Sequence, residues 1–418
     1  MCAEEKYMQE LEETSESPLH SSALGSDLES LVRPCGDDRR AQDPGRVADR
    51  PTLALTFSGG GFRATLAALG VVRFLADVGR LGDVRFISSV SGGSISNGMV
   101  ACQWGPLRDG GFTANSAEDL VIGSIIDSIS GSSLKGELVK NAWRAVGRKT
   151  RTDLLAQALD RRFFQGRTLE SLDPGCRFVI NAANLVTGVR FGFERDVVGD
   201  YVIGLAPTGG TGIRVATAAA ASAAVPGAFA PLPVRGIAFP CPRETEPLLV
   251  DGGAYDNTGL EAFDGDRYQD LFLITMNAGG IFVTGRWGGV PVARDLARAN
   301  SLLYRQSTGL RTRWMVDRFK AFEAGQAGGT PPDWSRRGLL FGLGSNITGP
   351  GPDQWRARFA EHRSWDGKDL AFVPTVFDRL DPRLCRLLIY RGWWLTGAAM
   401  ARYYPGLVEL PTDAPSSA

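Results

Sequence analysis

Two hydrophobic periods alternate along the first hundred ordered-looking residues. Thr52-Leu-Ala-Leu-Thr-Phe57 is a short apolar run of strand character. Ser58-Gly59-Gly60-Gly61 interrupts it, and from Phe62 to Val78 the apolar residues recur at helical spacing through Phe62, Leu66, Leu69, Val72, Leu75 and Ala76. The plan then repeats. Val84 to Val90 reads as a strand, Ser91-Gly92-Gly93 as a sharp turn, and Ile95 to Trp104 as a helix. Two strand–turn–helix units in succession predict parallel strands in an α/β fold.

Beyond this the pattern changes. Residues 117–172 read as mainly helical and break the alternation, as an insertion or cap would. Strands return at Arg177–Asn181, Val189–Phe193, Leu248–Val250 and Leu271–Thr275. Residues 292–325 and 382–402 have helical texture, and a Gly/Pro-rich stretch at 325–353 separates them. The uncharged stretch Val215–Val234 has the ~20-residue length of a membrane span. It is mostly alanine, and Pro226, Pro231 and Pro233 would break a spanning helix. The expectation is a buried small-residue helix entering a loop.

The polar residues 1–50 predict a mobile tail, acidic through Glu4, Glu5, Glu10, Glu12, Glu13, Glu16, Asp27 and Glu29 against Lys6 alone. Residues 51–410 then form one domain, with 292–402 its mainly helical C-terminal part and 411–418 a short tail. Formal net charge is zero, so no global field points to a nucleic-acid polymer. None of the six cysteines has CxxC spacing or a nearby histidine, which argues against a metal site. The acidic N-terminus lacks the basic-then-apolar order of a signal peptide. A cytoplasmic location with reduced thiols is the default.

Three short motifs carry chemistry. Ser91 stands in Ser89-Val90-Ser91-Gly92-Gly93, a near match to the G-x-S-x-G turn that exposes a nucleophilic serine, with Ser89 in place of the first glycine. Gly59-Gly60-Gly61 follows a strand and opens a helix, where backbone N–H groups can stabilise an oxyanion. Arg63 behind it has the forked donor set for a phosphate. Asp251-Gly252-Gly253 ends a β-prone run. Ligands of open α/β sheets bind at the carboxyl ends of strands, so the three motifs are expected to converge. Only two histidines exist. His20 falls in the tail, and His362 follows Ser91 and Asp251 in the chain order of a Ser-Asp-His triad but lies in a polar stretch. A Ser91–Asp251 dyad is favoured, and the triad stays open. An ordinary aspartate titrates near ~3.9 and is a weak base, so the dyad needs burial to raise Asp251.

Together these residues resemble the patatin-like phospholipases and the related catalytic domain of the cytosolic phospholipases. Ser58-Gly-Gly-Gly-Phe-Arg-Ala64 is similar to the family's oxyanion loop. Ser89–Gly93 is similar to its nucleophile elbow, Val250–Gly259 to its aspartate motif, and Ala219–Pro231 to the segment before it. The resemblance covers about residues 51–280, and more faintly 373–403. It implies a three-layer α/β/α sandwich with a mostly parallel central sheet, and acyl-ester hydrolysis of phospholipids or other lipids by a Ser–Asp dyad. It implies neither a cofactor nor a catalytic metal. Arg63 and Gly92 are assigned to substrate binding.

Two basic stretches interleaved with apolar residues suit an anionic membrane surface, so the expected location is peripheral at the inner face. One runs from Lys135 to Arg151 and includes Leu138 and Trp143; the other runs from Arg294 to Lys320 and includes Leu302, Leu303, Trp314 and Phe319. An unidentified activator or regulatory partner fits the acidic tail and the insertion. Two rivals remain at this stage. One is a nucleotide-binding oxidoreductase, since Gly59-x-Gly61-x-x-Ala64 matches the dinucleotide fingerprint. It lacks an acid at the end of the next strand. The other is a non-catalytic or activator-gated binding effector on the same fold.

Overall fold

A computed structural model of the chain describes residues 35, 39–141, 143, 150–241, 246–280, 291–360 and 368–415. His20, His362 and residues 1–34 lie outside the described residues. The two expected strand–turn–helix units are β1 (Leu53–Phe57) with α1 (Gly61–Asp77) and β2 (Val84–Val90) with α2 (Gly92–Cys102). Then come α3 (Trp104–Asp109), α4 (Ala114–Ala117), α5 (Gly123–Gly131), α6 (Leu134–Lys140) and α7 (Arg151–Leu159), with π-turns at Glu118–Ile122 and Asp160–Phe164. β3 (Arg177–Asn184), β4 (Arg190–Phe193), β5 (Val197–Asp200) and β6 (Gly204–Pro207) follow. After α8 (Val215–Ser222) come β7 (Leu232–Pro233), β8 (Leu248–Asp251) and β9 (Phe272–Asn277). The chain closes with α9 (Pro291–Gly328), β10 (Gly338–Gly342), α10 (Pro350–Arg358) and α11 (Pro382–Tyr403).

The strands form one sheet in the order β10-β9-β1-β2-β3-β4-β5-β6. The first five in that order run parallel, and β4 to β6 extend the sheet antiparallel. Strand period 2 sorts the side chains between two layers. Leu55, Phe57, Ile87, Ile180, Ile274 and Met276 face a large core shared with α1, α2, α8 and α11. Ala54, Phe86, Val179 and Leu273 face a smaller one closed by Leu260, Phe263, Tyr268 and Met315 of α9. The result is a three-layer α/β/α sandwich around a parallel core. α1 and α11 meet where Gly70 and Gly392 replace side chains. A Cβ on Gly70 would lie 2.2 Å from the Ile389 carbonyl oxygen.

β5, β6 and β10 are not visible in the sequence pattern. Each is four or five residues long and contains or is bounded by glycine or proline. α8 is the expected buried alanine helix, and among the described residues no helix is long and apolar enough to cross a membrane.

The expectation of reduced thiols is corrected at one pair. Cys35 and Cys241 form a disulfide, while Cys102, Cys176 and Cys385 are free and buried. The end of the stretch expected as a tail is also tied to the body. Cys35 donates its N–H to the Tyr201 carbonyl, Arg46 pairs with Asp270, and Arg50 pairs with Asp83.

Candidate active site

Strand β3 sets the geometry. Along one edge it pairs first with β2, which runs parallel and ends with Val90 opposite Asn181. The same edge then pairs with β8, which runs antiparallel and ends with Asp251 opposite Ala182. The two strands point at each other, and their tips meet one residue apart on β3. Ser91 follows the first tip and Asp251 is the second. The expectation placed all three motifs at one carboxyl edge of parallel strands. Asp251 instead reaches the site on a strand running the opposite way.

At the tip of β2 the backbone turns sharply. Ser91 has φ 50° and ψ −121°, a conformation rare for a residue with a side chain, and α2 begins at the next residue. Backbones crowd around the turn. A Cβ on Gly92 would lie 2.1 Å from the Gly61 carbonyl oxygen, and one on Gly93 would lie 2.6 Å from that of Phe57. A buried hydroxyl network holds the turn. The Ser91 N–H donates to Ser222 Oγ (2.8 Å), and Ser222 donates to the Asn181 carbonyl (2.6 Å). Ser94 Oγ lies 3.0 Å from Ser222 Oγ and 3.1 Å from Ser89 Oγ. Ser89, the departure from glycine, is fully buried and accepts from Asn97 Nδ2 at 2.8 Å. Its hydroxyl is absorbed by partners, so the missing glycine costs no unpaired polar group.

Asp251 is buried, and the Ser91 side chain is close enough to lower its pKa. Burial pushes the carboxyl up to about 6, partly offset by the bond from the Gly253 N–H (2.8 Å) and by the Ser91 side chain. Desolvation thus dominates, since it penalises the charged form.

The glycine loop lies against the serine. A Cβ on Gly59 would come within 3.1 Å of Ser91 Cβ and 2.2 Å of Asn257 Oδ1. Gly60 and Gly61 have φ 148° and 61°, which favours glycine. The Gly59 N–H donates to the Asn257 carbonyl at 3.1 Å. Of the three amides, those of Gly60 and Gly61 therefore carry the oxyanion expectation, and that of Gly59 fixes the loop.

Arg63 departs from its expected part. It is buried, and its five donors meet acceptors of the chain: the Ala278 carbonyl twice, the Ala371 and Val373 carbonyls, and Thr375 Oγ1. Its guanidinium staples the glycine loop to two distant segments, and a phosphate would have to displace these bonds. Burial lowers its pKa to about 10.

Ser91 and Asp251 open into a cavity of about 1110 Å³. One wall is α9, which sends Tyr304 onto the site. Tyr304 donates to Asn257 Oδ1, and its ring covers Gly253, where a Cβ would lie 2.3 Å from it. Burial, then the charges of Asp251 and Asp256, push its phenol up. Arg311 anchors the same helix through Asp264 (2.6 Å), Glu261 (3.2 Å) and Asp256 (3.6 Å). Ser222, Asn181, Asn257 and Tyr304 escape the sequence reading as site residues. Ser222 left one trace, as a hydroxyl inside an alanine run. No group of metal-ligating side chains occurs among the described residues.

The family model for patatin-like phospholipases matches residues 55–264, which include both strand tips and the glycine loop. No curated protein matches the sequence significantly. Among solved structures, human GIVD cytosolic phospholipase A2 shares 14% identity at a TM-score of 0.48. The alignment covers 95% of this chain and 66% of that one, so the chain spans just under two thirds of that enzyme's length. VipD from Legionella pneumophila shares 15% identity at a TM-score of 0.31, over 82% of this chain and 71% of that one. With half its length matched by the family model, and with a serine elbow, glycine loop and aspartate brought together on one sheet, the chain belongs to the patatin-like phospholipases, a family of lipid acyl hydrolases.

Proposed function

We propose that the chain is a serine acyl hydrolase that cleaves carboxylic ester bonds of membrane phospholipids or lysophospholipids through a Ser91–Asp251 dyad. A buried Asp251 carboxyl with its pKa raised to about 6, brought beside Ser91 where β2 and β8 meet along β3, carries this reading. Asp251 takes the Ser91 proton as Oγ attacks the ester carbonyl carbon, and the tetrahedral oxyanion accepts from the Gly60 and Gly61 amides. Asp251 returns the proton to the departing alcohol, which leaves an acyl-serine. Water, deprotonated by Asp251, then attacks the acyl carbon, and the proton returns to Ser91 as the fatty acid leaves. A general base works best with a pKa close to the working pH, and burial moves Asp251 toward that value.

A peripheral seat on the membrane suits the outer face of α9, where Leu302, Leu303, Leu310 and Trp314 are exposed along one helix. Phe372, next to cavity-lining Ala371, adds a fifth exposed apolar side chain. Of the other basic stretch, Arg144, Arg148 and Lys149 lie outside the described residues.

A fluorophosphonate probe tests the proposal. It should label the wild-type chain and leave Ser91→Ala unlabelled, and Asp251→Asn should abolish hydrolysis of a long-chain phospholipid. A wild-type chain that takes no label and turns over no ester refutes the reading and favours a non-catalytic or activator-gated effector.

A further inference from the structure

Resting on this acyl-hydrolase reading, we infer that Asn257 is a further catalytic residue, whose side-chain amide donates a hydrogen bond to the ester seated at Ser91, and that Tyr304 of α9 is the positioning residue that aims it. Three side chains surround one point beside the nucleophile. A Cβ on Gly59 would lie 3.1 Å from Ser91 Cβ, 3.1 Å from Tyr304 Oη and 2.2 Å from Asn257 Oδ1. Asn257 is 1% exposed and lines the cavity that holds Ser91. Its Oδ1 accepts from the Tyr304 hydroxyl, and its Nδ2 has no hydrogen-bond partner among the described residues. A buried amide that keeps its two N–H donors unused calls for a ligand.

The surroundings keep those donors clear. A Cβ on Gly279 would lie 2.8 Å from Nδ2, and one on Gly253 would lie 2.1 Å from Tyr304 Oη. Gly59, Gly253 and Gly279 all have φ outside the left-handed region, so backbone conformation does not demand glycine at any of them. Room for the Asn257–Tyr304 pair does. Tyr304 decides which end of the amide faces the cavity. Burial, then the charges of Asp251 and Asp256, push its phenol up, so it stays a donor and holds Oδ1, which leaves Nδ2 for the cavity. The ester oxygens gain negative charge in the transition state. A fixed N–H aimed at them binds that state more tightly than the ground state, which raises kcat and leaves KM nearly alone.

Steady-state kinetics of the full chain on a soluble ester test the inference, with Asn257→Ala, Tyr304→Phe and the double variant beside the wild type. A wild type that neither takes a fluorophosphonate label nor turns over the ester brings down the acyl-hydrolase reading, and this inference with it. With the wild type active, Asn257→Ala should lower kcat about 100-fold, the scale of one lost transition-state donor, at nearly unchanged KM. Its backbone carbonyl still accepts from the Gly59 N–H, so the glycine loop stays tethered. Tyr304→Phe keeps the ring over Gly253 and loses only the hydroxyl, so its kcat should fall about tenfold, the scale of one modest hydrogen bond. The double variant should be no slower than Asn257→Ala alone, because the tyrosine acts through the amide. The acid limb of the pH profile, set by Asp251 at about 6, should stay in place in all of them. A site that is only loosened would admit water to Asp251 and move the limb down. A kcat within about threefold of wild type in Asn257→Ala overturns the inference, as does a loss confined to KM. Losses that multiply in the double variant overturn the positioning role of Tyr304. Should Asn257→Ala not fold, Tyr304→Phe decides alone, a tenfold fall in kcat at constant KM supporting the inference and an unchanged kcat overturning it.

Discussion

Asp251 should cost the fold stability at neutral pH, and its removal as a charge should give that stability back. The carboxyl has a pKa of about 6 in the folded chain against an ordinary value of 3.8. The folded chain therefore binds this proton more tightly than the unfolded chain does. Stability from this group is fully present below 3.8 and is lost as pH rises through about 6. The gap between the two values corresponds to about 3 kcal/mol, since each pH unit is worth ~1.4 kcal/mol. In the Asp251→Asn variant the side chain is a neutral amide at every pH and carries no such cost. Urea melts of both proteins from pH 4 to 8 measure the effect. The altered hydrogen bonding of the amide adds a constant offset, and the acid sensitivity of all other groups cancels in the difference. What remains is a rise of a few kcal/mol in the variant's relative stability, centred between pH 4 and 6. A difference that stays flat over this range would show that Asp251 is not desolvated as described, and the argument for its basicity would go with it.

Three further outcomes follow from the site. Because the proposed base must be ionised, kcat/KM on a soluble ester should climb about tenfold per pH unit below 6 and level off above it; a flat profile from pH 4.5 to 8 contradicts the dyad. Ser222→Ala leaves the buried Ser91 N–H without its acceptor, so it should lose ~1–3 kcal/mol in a urea melt and lower kcat; a loss of only a few tenths would mean the hydroxyl network does not hold the turn. Gly92→Ala places a methyl 2.1 Å from the Gly61 carbonyl oxygen and must push the elbow from the glycine loop. Its turnover should fall about 100-fold, the scale for a ~1 Å misplacement, with fluorophosphonate labelling slowed in parallel.

Local features of the site were legible because local rules produce them. Two apolar runs ending in Ser58-Gly-Gly-Gly61 and Ser91-Gly-Gly93 leave little besides strand–turn–helix, and both turns stand where the pattern puts them. The direction of β8 was not legible, since alternation tells that a strand exists and not which way it runs beside its neighbour. Arg63 misled for a related reason. Its position invites a phosphate, but the carbonyls that take its donors come from Ala278, Ala371 and Val373, more than two hundred residues away. Tyr304 sits in an arginine-rich amphipathic stretch, and nothing in that stretch marks one tyrosine as the group that would cover Gly253. β10 was hidden because Gly338 and Gly342 frame an apolar triplet too short to register.

The meeting of β2 and β8 along β3 makes that strand a ruler for the reaction. The spacing of nucleophile and base is measured on β3, as the single step from Asn181 to Ala182, and not along the 159 intervening residues of the chain. Outside β3, the helix that opens at Gly92, and α8 with its Ser222, those residues can lengthen, shorten or trade helices for loops and leave the pair in place, provided both strand tips keep their register. A slip of one residue in either tip has the opposite weight. It moves one partner by about 3.3 Å and turns its side chain to the other face of the sheet. Insertions in the loops that join the elements between the two motifs should therefore be tolerated, whereas deletion of a single residue within β3 should silence the enzyme.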